Sequence, residues 1–215
     1  MIVANFPPFV KSNATCFGIP SFFSLSDLSS LLTSLEHDPS KFIIRGELIE
    51  GREKENIRRT GKSQLFNDPN SNFNPAARQW CMIDIDDLEL PAEYADVDAS
   101  KPDILAHTTA KLPEAFRGVD CHYQFSASMG VKTDKVRVHL WYWLNRGVSD
   151  AEMKAWMGQS DVPVDMALFR PVQPHFTANP IFENGAINPF PNRSGLYDAH
   201  LRVGSLPVLA IKRGI

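Results

Sequence analysis

Arg78 to Asp86, with the sequence RQWCMIDID, is the strongest strand pattern in the first half of the chain. Because side chains alternate between the two faces of a strand, Asp84 and Asp86 point to one face while the isoleucines beside them point to the other. Two carboxylates about 6 to 7 Å apart on one face repel each other, and a hard divalent cation with oxygen ligands offsets that repulsion. The pattern therefore indicates a metal site, with a strand that simply runs out into solvent as the alternative.

A later strand pattern, Val136 to Leu144 (VRVHLWYWL), carries two groups suited to binding a phosphate chain. Alternation places Arg137 and His139 on one face, beyond a glycine-containing loop that ends in Lys135. Cationic and proton-donating groups hold phosphates through charge-assisted hydrogen bonds. The alternative is a core histidine with a satisfied ring, beside an arginine at the edge of the strand.

A third isolated acid, Asp165, stands between apolar residues in the stretch 162–169, VPVDMALF. Alone it is explained equally well as a helix cap or a turn residue. Sites that transfer phosphoryl groups with two metal ions need about three carboxylates, however, and Asp84, Asp86 and Asp165 meet that number.

The remaining patterns predict an α+β protein. One helix is predicted from leucines at helical spacing, between a group of serines and Pro39: Leu25, Leu28, Leu31, Leu32 and Leu35. Further helices are predicted after Pro102 and at the capping box that starts at Ser149. Lys41 to Glu47 and Tyr123 to Ala127 have the composition of strands. This order predicts a sheet with helices on one side.

Length and composition exclude several classes of protein. The chain has 215 residues, of which 43% are hydrophobic, so it can bury a sizeable core and is neither disordered nor fibrous. Its 22 basic and 25 acidic residues give a net charge of −3, so any nucleic-acid site must be a local patch.

Location and redox state follow from what the sequence lacks. No apolar run is long enough to span a bilayer and the N-terminus has no signal-peptide pattern, so we expect no membrane partner and a cytoplasmic location. Cys16, Cys81 and Cys121 are widely spaced without a C-x-x-C pair, which fits a reducing compartment and disfavours structural zinc.

The order of these motifs resembles that of the archaeo-eukaryotic primase superfamily, especially the primase-polymerases of plasmids, phages and integrated elements. The resemblance runs from about Arg45 to Arg193: an apolar strand ending in D-x-D, a strand carrying His139, and Asp165 after a hydrophobic stretch. Ile44-Arg45-Gly46 is similar to the arginine-glycine strand end upstream of the first acidic motif in such proteins. One position departs, because the superfamily usually has a small hydroxyl residue where this chain has Arg137.

The resemblance implies a fold with two parts. An RRM-like catalytic sheet with flanking helices is expected at 78–215, joined to a smaller N-terminal α/β module with a basic loop at 1–77. Asp84, Asp86 and Asp165 are expected to hold two Mg²⁺ or Mn²⁺ ions, with His139 as a further catalytic residue.

The resemblance also implies which cations bind the substrates. The nucleoside triphosphate is expected to contact four side chains: His139, Arg137, Arg45 and Lys135. The template backbone is expected to contact three cations of the polar segment Glu50 to Asn74, namely Arg58, Arg59 and Lys62. For that segment a solvated charged surface is the alternative.

The implied activity is that of a DNA primase-polymerase, which makes or extends a primer on a single-stranded DNA template from nucleoside triphosphates during replication. Two alternatives remain: a non-catalytic module that binds single-stranded nucleic acid, and a metal-dependent nuclease. A rolling-circle nicking enzyme is disfavoured because no H-x-H motif occurs. No phosphate-loop motif occurs either, so a partner helicase is expected on another chain or on a further part of a longer replication protein.

Overall fold

The protein is described by a computed structural model for residues 2–5, 13–18, 24–52, 57–58, 69, 71–131, 134–182, 187–188 and 192–200. Its α-helices are α1 (Leu25–Leu35), α2 (Lys101–Thr109) and α3 (Asp150–Met157). Its strands are β1 (Ile2–Asn5), β2 (Asn13–Gly18), β3 (Lys41–Ile44), β4 (Glu47–Leu48), β5 (Ile57–Arg58), β6 (Phe73–Asn74), β7 (Arg78–Glu89), β8 (Cys121–Phe125), β9 (Lys135–Val148), β10 (His175–Phe176) and β11 (Ser194–Tyr197). Among the described helices, none is long and apolar enough to cross a bilayer.

A four-stranded antiparallel sheet in the order β11-β8-β9-β7 forms the centre of the protein. The strands expected from alternation are present, and β7 and β9 extend beyond the predicted bounds to form the longest pair. The α+β class is confirmed. The capping box is confirmed too, since Ser149 accepts a hydrogen bond from the Glu152 amide and Glu152 accepts one from the Ser149 amide.

Both faces of this sheet are covered, so the expectation that its helices lie on one side is wrong. Residues such as Ile83 and Leu140 pack on one face with side chains of α2 and α3. The opposite face is also apolar, because Trp80, Met82 and Trp141 point to it, and there the leucines of α1 bury them. An apolar second face needs its own cover, and α1 supplies it.

A second antiparallel sheet has the order β10-β3-β1-β2-β5. Strand β10 comes late in the chain, yet it pairs with β3, with His175 opposite Ile43 and Phe176 opposite Phe42. Residues before and after position 77 therefore share this sheet, while the domain boundary placed there stays a prediction. A separate short pair joins β4 to β6.

Gly46 lies at a close approach between the end of β3 and the late segment of the chain. Its amide donates to the carbonyl of Pro171 at 2.8 Å, and a Cβ at this position would stand 2.7 Å from that oxygen. We expect Gly46→Ala to lower the free energy of unfolding by about 1 to 3 kcal/mol, because the backbone must shift to admit the methyl group. Urea unfolding measures this.

Gly158→Ala is the matched control for Gly46→Ala. Gly158 caps α3 in a right-handed helical conformation that alanine also adopts, so this change is expected to leave stability equal or slightly raised. Equal stability of both variants would contradict the close approach at Gly46.

Candidate functional site

A shallow pocket of about 340 Å³ lies where β7 ends and β9 begins, on the face that α1 covers further along. Asp84 and Asp86 enter it from β7, Arg137 enters from β9, and Asp165 enters from the segment before a 3₁₀ turn. The rest of the lining is Asp87, Pro163 and Val164. Four of the residues singled out in the sequence are therefore brought to one pocket.

A bulge in β7 separates the deep acid from the acid at the rim. Ile85 and Leu88, three positions apart on β7, pair with Val138 and Val136, which are two positions apart on β9. β7 therefore contains one extra residue at this point. The side chain of Asp84, before the bulge, is 18% exposed, whereas that of Asp86 is 61% exposed. One carboxylate is thus held in the sheet while the next reaches solvent.

The environment of Asp84 disfavours its charged form. Burial, followed by the charges of Asp86 and Asp165, raises the pKa of Asp84 to about 7, while the charge of Arg137 acts in the opposite direction. Asp84 Oδ1 is buried and accepts no hydrogen bond from the described residues. A strongly raised carboxyl pKa in a pocket with other acids is typical of a functional site.

His139 lies directly opposite Asp84 in the β7–β9 ladder, and its Nε2 is 3.5 Å from Asp84 Oδ1. That distance is too long for a good hydrogen bond. Burial lowers the pKa of His139 to about 4, partly opposed by the charge of Asp86, so the imidazole is neutral at physiological pH. A neutral imidazole has one donor and one acceptor nitrogen.

Arg137 lies two residues before His139 on the same face of β9, as alternation predicts. Its Nη1 is 3.7 Å from Asp86 Oδ1, and its Nε is buried without a partner among the described residues. Arg137 therefore keeps donor capacity at the mouth of the pocket. Lys135 begins β9 opposite Glu89, further along the same strand.

Asp165 caps the 3₁₀ turn Met166–Phe169, with its Oδ1 accepting from the Ala167 amide at 2.8 Å. The capping hydrogen bond is made by Oδ1, and the charge of the Asp165 carboxylate also raises the pKa of Asp84. Within the described part of the chain, no three His, Cys, Asp or Glu side chains stand together as a preformed metal-binding group. The exposed Asp86 and Asp165 would have to turn toward Asp84 to share an ion with it.

Arg45 does not face this pocket, although the sequence analysis expects it to bind nucleotide. Its side chain is fully buried, and its Nε donates to Asp150 Oδ1 at 2.7 Å. Its other nitrogens donate to the carbonyls of Trp80 at 2.7 Å and Val148 at 2.9 Å. Arg45 therefore ties β3 to β7, to the end of β9 and to the start of α3.

The basic loop stays a prediction. Arg59 and Lys62 lie outside the described residues, and for Arg58 only the backbone is described, as part of β5. Trp80, Trp141 and Tyr142 are buried in the core.

The sequence analysis does not single out Gln124 and Thr177, which lie near each other on the side of the sheet that carries His139. Gln124 on β8 is paired directly with His139 on β9, and its Nε2 donates to the carbonyl of Thr177. The alternation of β8 places Gln124 on the correct face once the register is known, but the sequence alone carries no signal for Thr177.

Comparison of the chain with protein-family profiles, with curated protein sequences and with solved structures finds no match.

Proposed function

We propose that this protein is a metal-dependent nucleotidyltransferase of the primase-polymerase type, which makes or extends a primer on a single-stranded DNA template. The single observation that carries the proposal is the pocket lined by Asp84, Asp86, Asp165 and Arg137, with His139 opposite Asp84. Carboxylates beside phosphate-binding cations are the residue types that this reaction requires.

The topology of the central sheet supports an RRM-like interpretation. The chain runs β7-α2-β8-β9-α3. The consecutive strands β8 and β9 pair with each other, and β7 pairs with the other edge of β9, so the three strands lie in the order β8-β9-β7. The fourth strand, β11, lies beside β8 rather than beside β7, and the RRM-like assignment is therefore proposed for the three-stranded core.

The donor set fits Mg²⁺ or Mn²⁺, because both prefer carboxylate oxygens. Asp84 Oδ1 is buried without a partner among the described residues. Burial, followed by the charges of Asp86 and Asp165, raises the pKa of this carboxyl, and a bound cation would favour its charged form. Asp84, Asp86 and Asp165 would hold the ions. Bound there, the ions would acidify the attacking hydroxyl and neutralise charge on the leaving pyrophosphate.

The protein's own residues bind and orient the triphosphate. Arg137 supplies a guanidinium at the pocket mouth, and the neutral ring of His139, opposite Asp84, can donate one hydrogen bond. Lys135 extends this cationic row toward the start of β9. With the substrate fixed in this way, rate enhancement comes from positioning and electrostatics.

The test is primer extension on single-stranded DNA with labelled nucleotides, in Mg²⁺ or Mn²⁺, with and without a primer. Template-dependent products that require both metal and nucleotide are the expected result, and products without a primer would add priming activity. Loss of labelled DNA in metal without any nucleotide would instead indicate the nuclease.

Arg137→Gln is expected to raise the KM for nucleotide by about 10- to 100-fold with a smaller effect on kcat, because a charge-assisted hydrogen bond to phosphate is lost. Steady-state extension kinetics measure both constants. Arg117→Gln is the control. Arg117 is half exposed, lies 3.5 Å from Asp161, and does not line the pocket. An unchanged KM in Arg137→Gln would remove Arg137 from the nucleotide site.

A non-catalytic module that binds single-stranded nucleic acid is the second candidate, because the described carboxylates do not form a preformed three-ligand group. It predicts template binding that needs no metal and survives Asp84→Asn. Fluorescence anisotropy with labelled single-stranded DNA, with and without chelator, separates this candidate from the first.

A further inference from the structure

A second cavity, of about 640 Å³, lies beside the pocket of Asp84. Asp87 and Pro163 line both spaces. Strand β7 is the edge of the central sheet among the described strands, so no described strand separates the second cavity from the pocket. Clefts of this volume are typical of sites for small molecules. The two spaces therefore adjoin at the end of β7, where one ligand can occupy both.

The bulge in β7 places Asp87 at the boundary between the two spaces. At the bulge, Asp86 and Asp87 stand opposite one residue of β9, Arg137. Asp86 Oδ1 is 3.7 Å from Arg137 Nη1, whereas the carboxylate of Asp87 is exposed and has no hydrogen-bond or ion-pair partner among the described residues. Asp87 is thus free to contact a ligand that spans both spaces.

An aromatic ring and apolar side chains make the second cavity suitable for a nucleobase. His107 of α2 is partly buried, and its ring lies beside that of Tyr94, with centroids 6.3 Å apart and planes inclined by 66°. A ring in such a place can stack on a base, because every base has a π-face. The apolar part of the lining includes Leu88, Leu90, Pro91 and Val162.

Charge favours a nucleoside over a phosphate group in the second cavity. Asp87 and Glu89 line it from β7, and ionised carboxylates accept hydrogen bonds without donating any. Such groups repel phosphate and match the hydroxyl donors of a sugar. Lys111, just after α2, can donate to acceptor atoms of a base. Asp161, also in the lining, lies 3.5 Å from Arg117.

We propose that the second cavity holds the nucleoside of the incoming nucleotide, with the base on the ring of His107 and the ribose 2′-hydroxyl donating to Asp87. Because a sugar links base to phosphate, the boundary residue Asp87 lies where the sugar would be when the phosphates occupy the pocket with Arg137. The 2′-hydroxyl distinguishes ribonucleotides from deoxyribonucleotides, and carboxylates bind it in other nucleotide sites. Asp87 therefore gives the protein a preference for ribonucleotides. The role in nucleotide incorporation rests on the proposed function, whereas nucleoside binding does not.

Adenosine and 2′-deoxyadenosine test the second cavity without phosphate, metal or turnover. In a nuclear magnetic resonance titration with chelator present, adenosine is expected to shift the ring signals of His107 and the amide signals of α2. The Kd of 2′-deoxyadenosine is expected to be about tenfold higher. Absence of adenosine binding, or shifts confined to residues outside the second cavity, would overturn the proposal.

His107→Ala is expected to raise the Kd of both nucleosides about tenfold, because the stacking ring is lost. His107→Phe keeps a planar ring and is expected to restore most of the binding. Unchanged Kd values in His107→Ala would remove the base from this ring.

Asp87→Ala is expected to raise the Kd of adenosine to that of 2′-deoxyadenosine, because the acceptor of the 2′-hydroxyl is lost. In primer extension, the KM for ribonucleotides is expected to rise about tenfold while the KM for deoxyribonucleotides stays within about twofold. Glu93→Ala is the matched control, since Glu93 is an exposed acid shortly after β7 that lines neither space. An equal rise of both KM values in Asp87→Ala would contradict the contact with ribose.

The outcomes separate this proposal from the proposed function. If the wild type makes no product in either metal, the proposed function fails, and the nucleoside Kd values still decide what the second cavity binds. Products from the wild type together with equal Kd values for the two nucleosides would keep the proposed function and overturn the ribose contact.

Discussion

If the proposed function holds, replacing Asp84 by asparagine is expected to reduce template-dependent nucleotide incorporation by about a thousandfold or more, because the proposed site would lose a charged metal ligand and several kcal/mol of transition-state stabilisation. Asparagine keeps the size of the side chain and removes only its charge. Extension assays over a range of Mn²⁺ concentrations measure the loss and show whether added metal restores activity.

The same substitution is expected to stabilise the protein above neutral pH. The pKa of Asp84 is raised from its ordinary value of 3.8 to about 7, so the folded chain holds this proton more tightly than the unfolded chain does. The contribution of Asp84 to stability is therefore present below the unfolded pKa and is lost as the pH rises from about 4 to 7. We expect Asp84→Asn to lack this loss and to exceed the wild type by about 1 to 3 kcal/mol at pH 8.

Asp38→Asn is the control, because the pKa of Asp38 is shifted in the opposite direction. Hydrogen bonds from Ser40 and Lys41 lower the pKa of Asp38, and this residue does not line the pocket. The control is expected to keep full activity and to gain no stability at pH 8. Chemical denaturation at pH 5 and pH 8 in the presence of chelator measures both variants, and full activity of Asp84→Asn would falsify the metal site.

Arg45→Met is expected to lower the free energy of unfolding by about 3 to 5 kcal/mol, since it leaves Asp150 charged and buried without its partner. Asp150 is 3% exposed, and the carbonyls of Trp80 and Val148 lose their donors at the same time. Urea unfolding of the single variants and of Arg45→Met/Asp150→Leu completes a double-mutant cycle, in which the double variant is expected to recover part of the loss.

Arg146→Met is the matched control on the protein surface. Arg146 pairs with Glu152 at 3.1 Å in the same helical region, but both side chains are about half exposed. Exposed pairs contribute about 0 to 1 kcal/mol, so this change is expected to be nearly silent. Equal losses in both arginine variants would contradict the buried pair.

A further variant, Arg45→Lys, distinguishes a structural role of Arg45 from a role in binding substrate. The buried ion pair predicts that Arg45→Lys loses stability without a specific rise in the KM for nucleotide. A raised KM with wild-type stability would return Arg45 to the nucleotide site, as the family resemblance implies.

The central strands and the helix α1 could be predicted from sequence because their signals are local. Alternation in β7 and β9 indicates which side chains share a face, and leucines at helical spacing mark the buried side of α1. Asp84 and Asp86 could therefore be assigned to one face, and Arg137 and His139 to one face of a second strand. Antiparallel pairing then brought the two faces together.

By itself, then, the sequence determined the local elements and the candidate side chains on each strand. Only the tertiary structure decided that Asp84 lies opposite His139, that α1 covers the second face, and that β10 returns to β3. It also paired Arg45 with Asp150, a residue 105 positions away, while a role for Arg45 in nucleotide binding stays a prediction. Such contacts depend on register and chain return across long separations, and no periodic pattern within one segment encodes them.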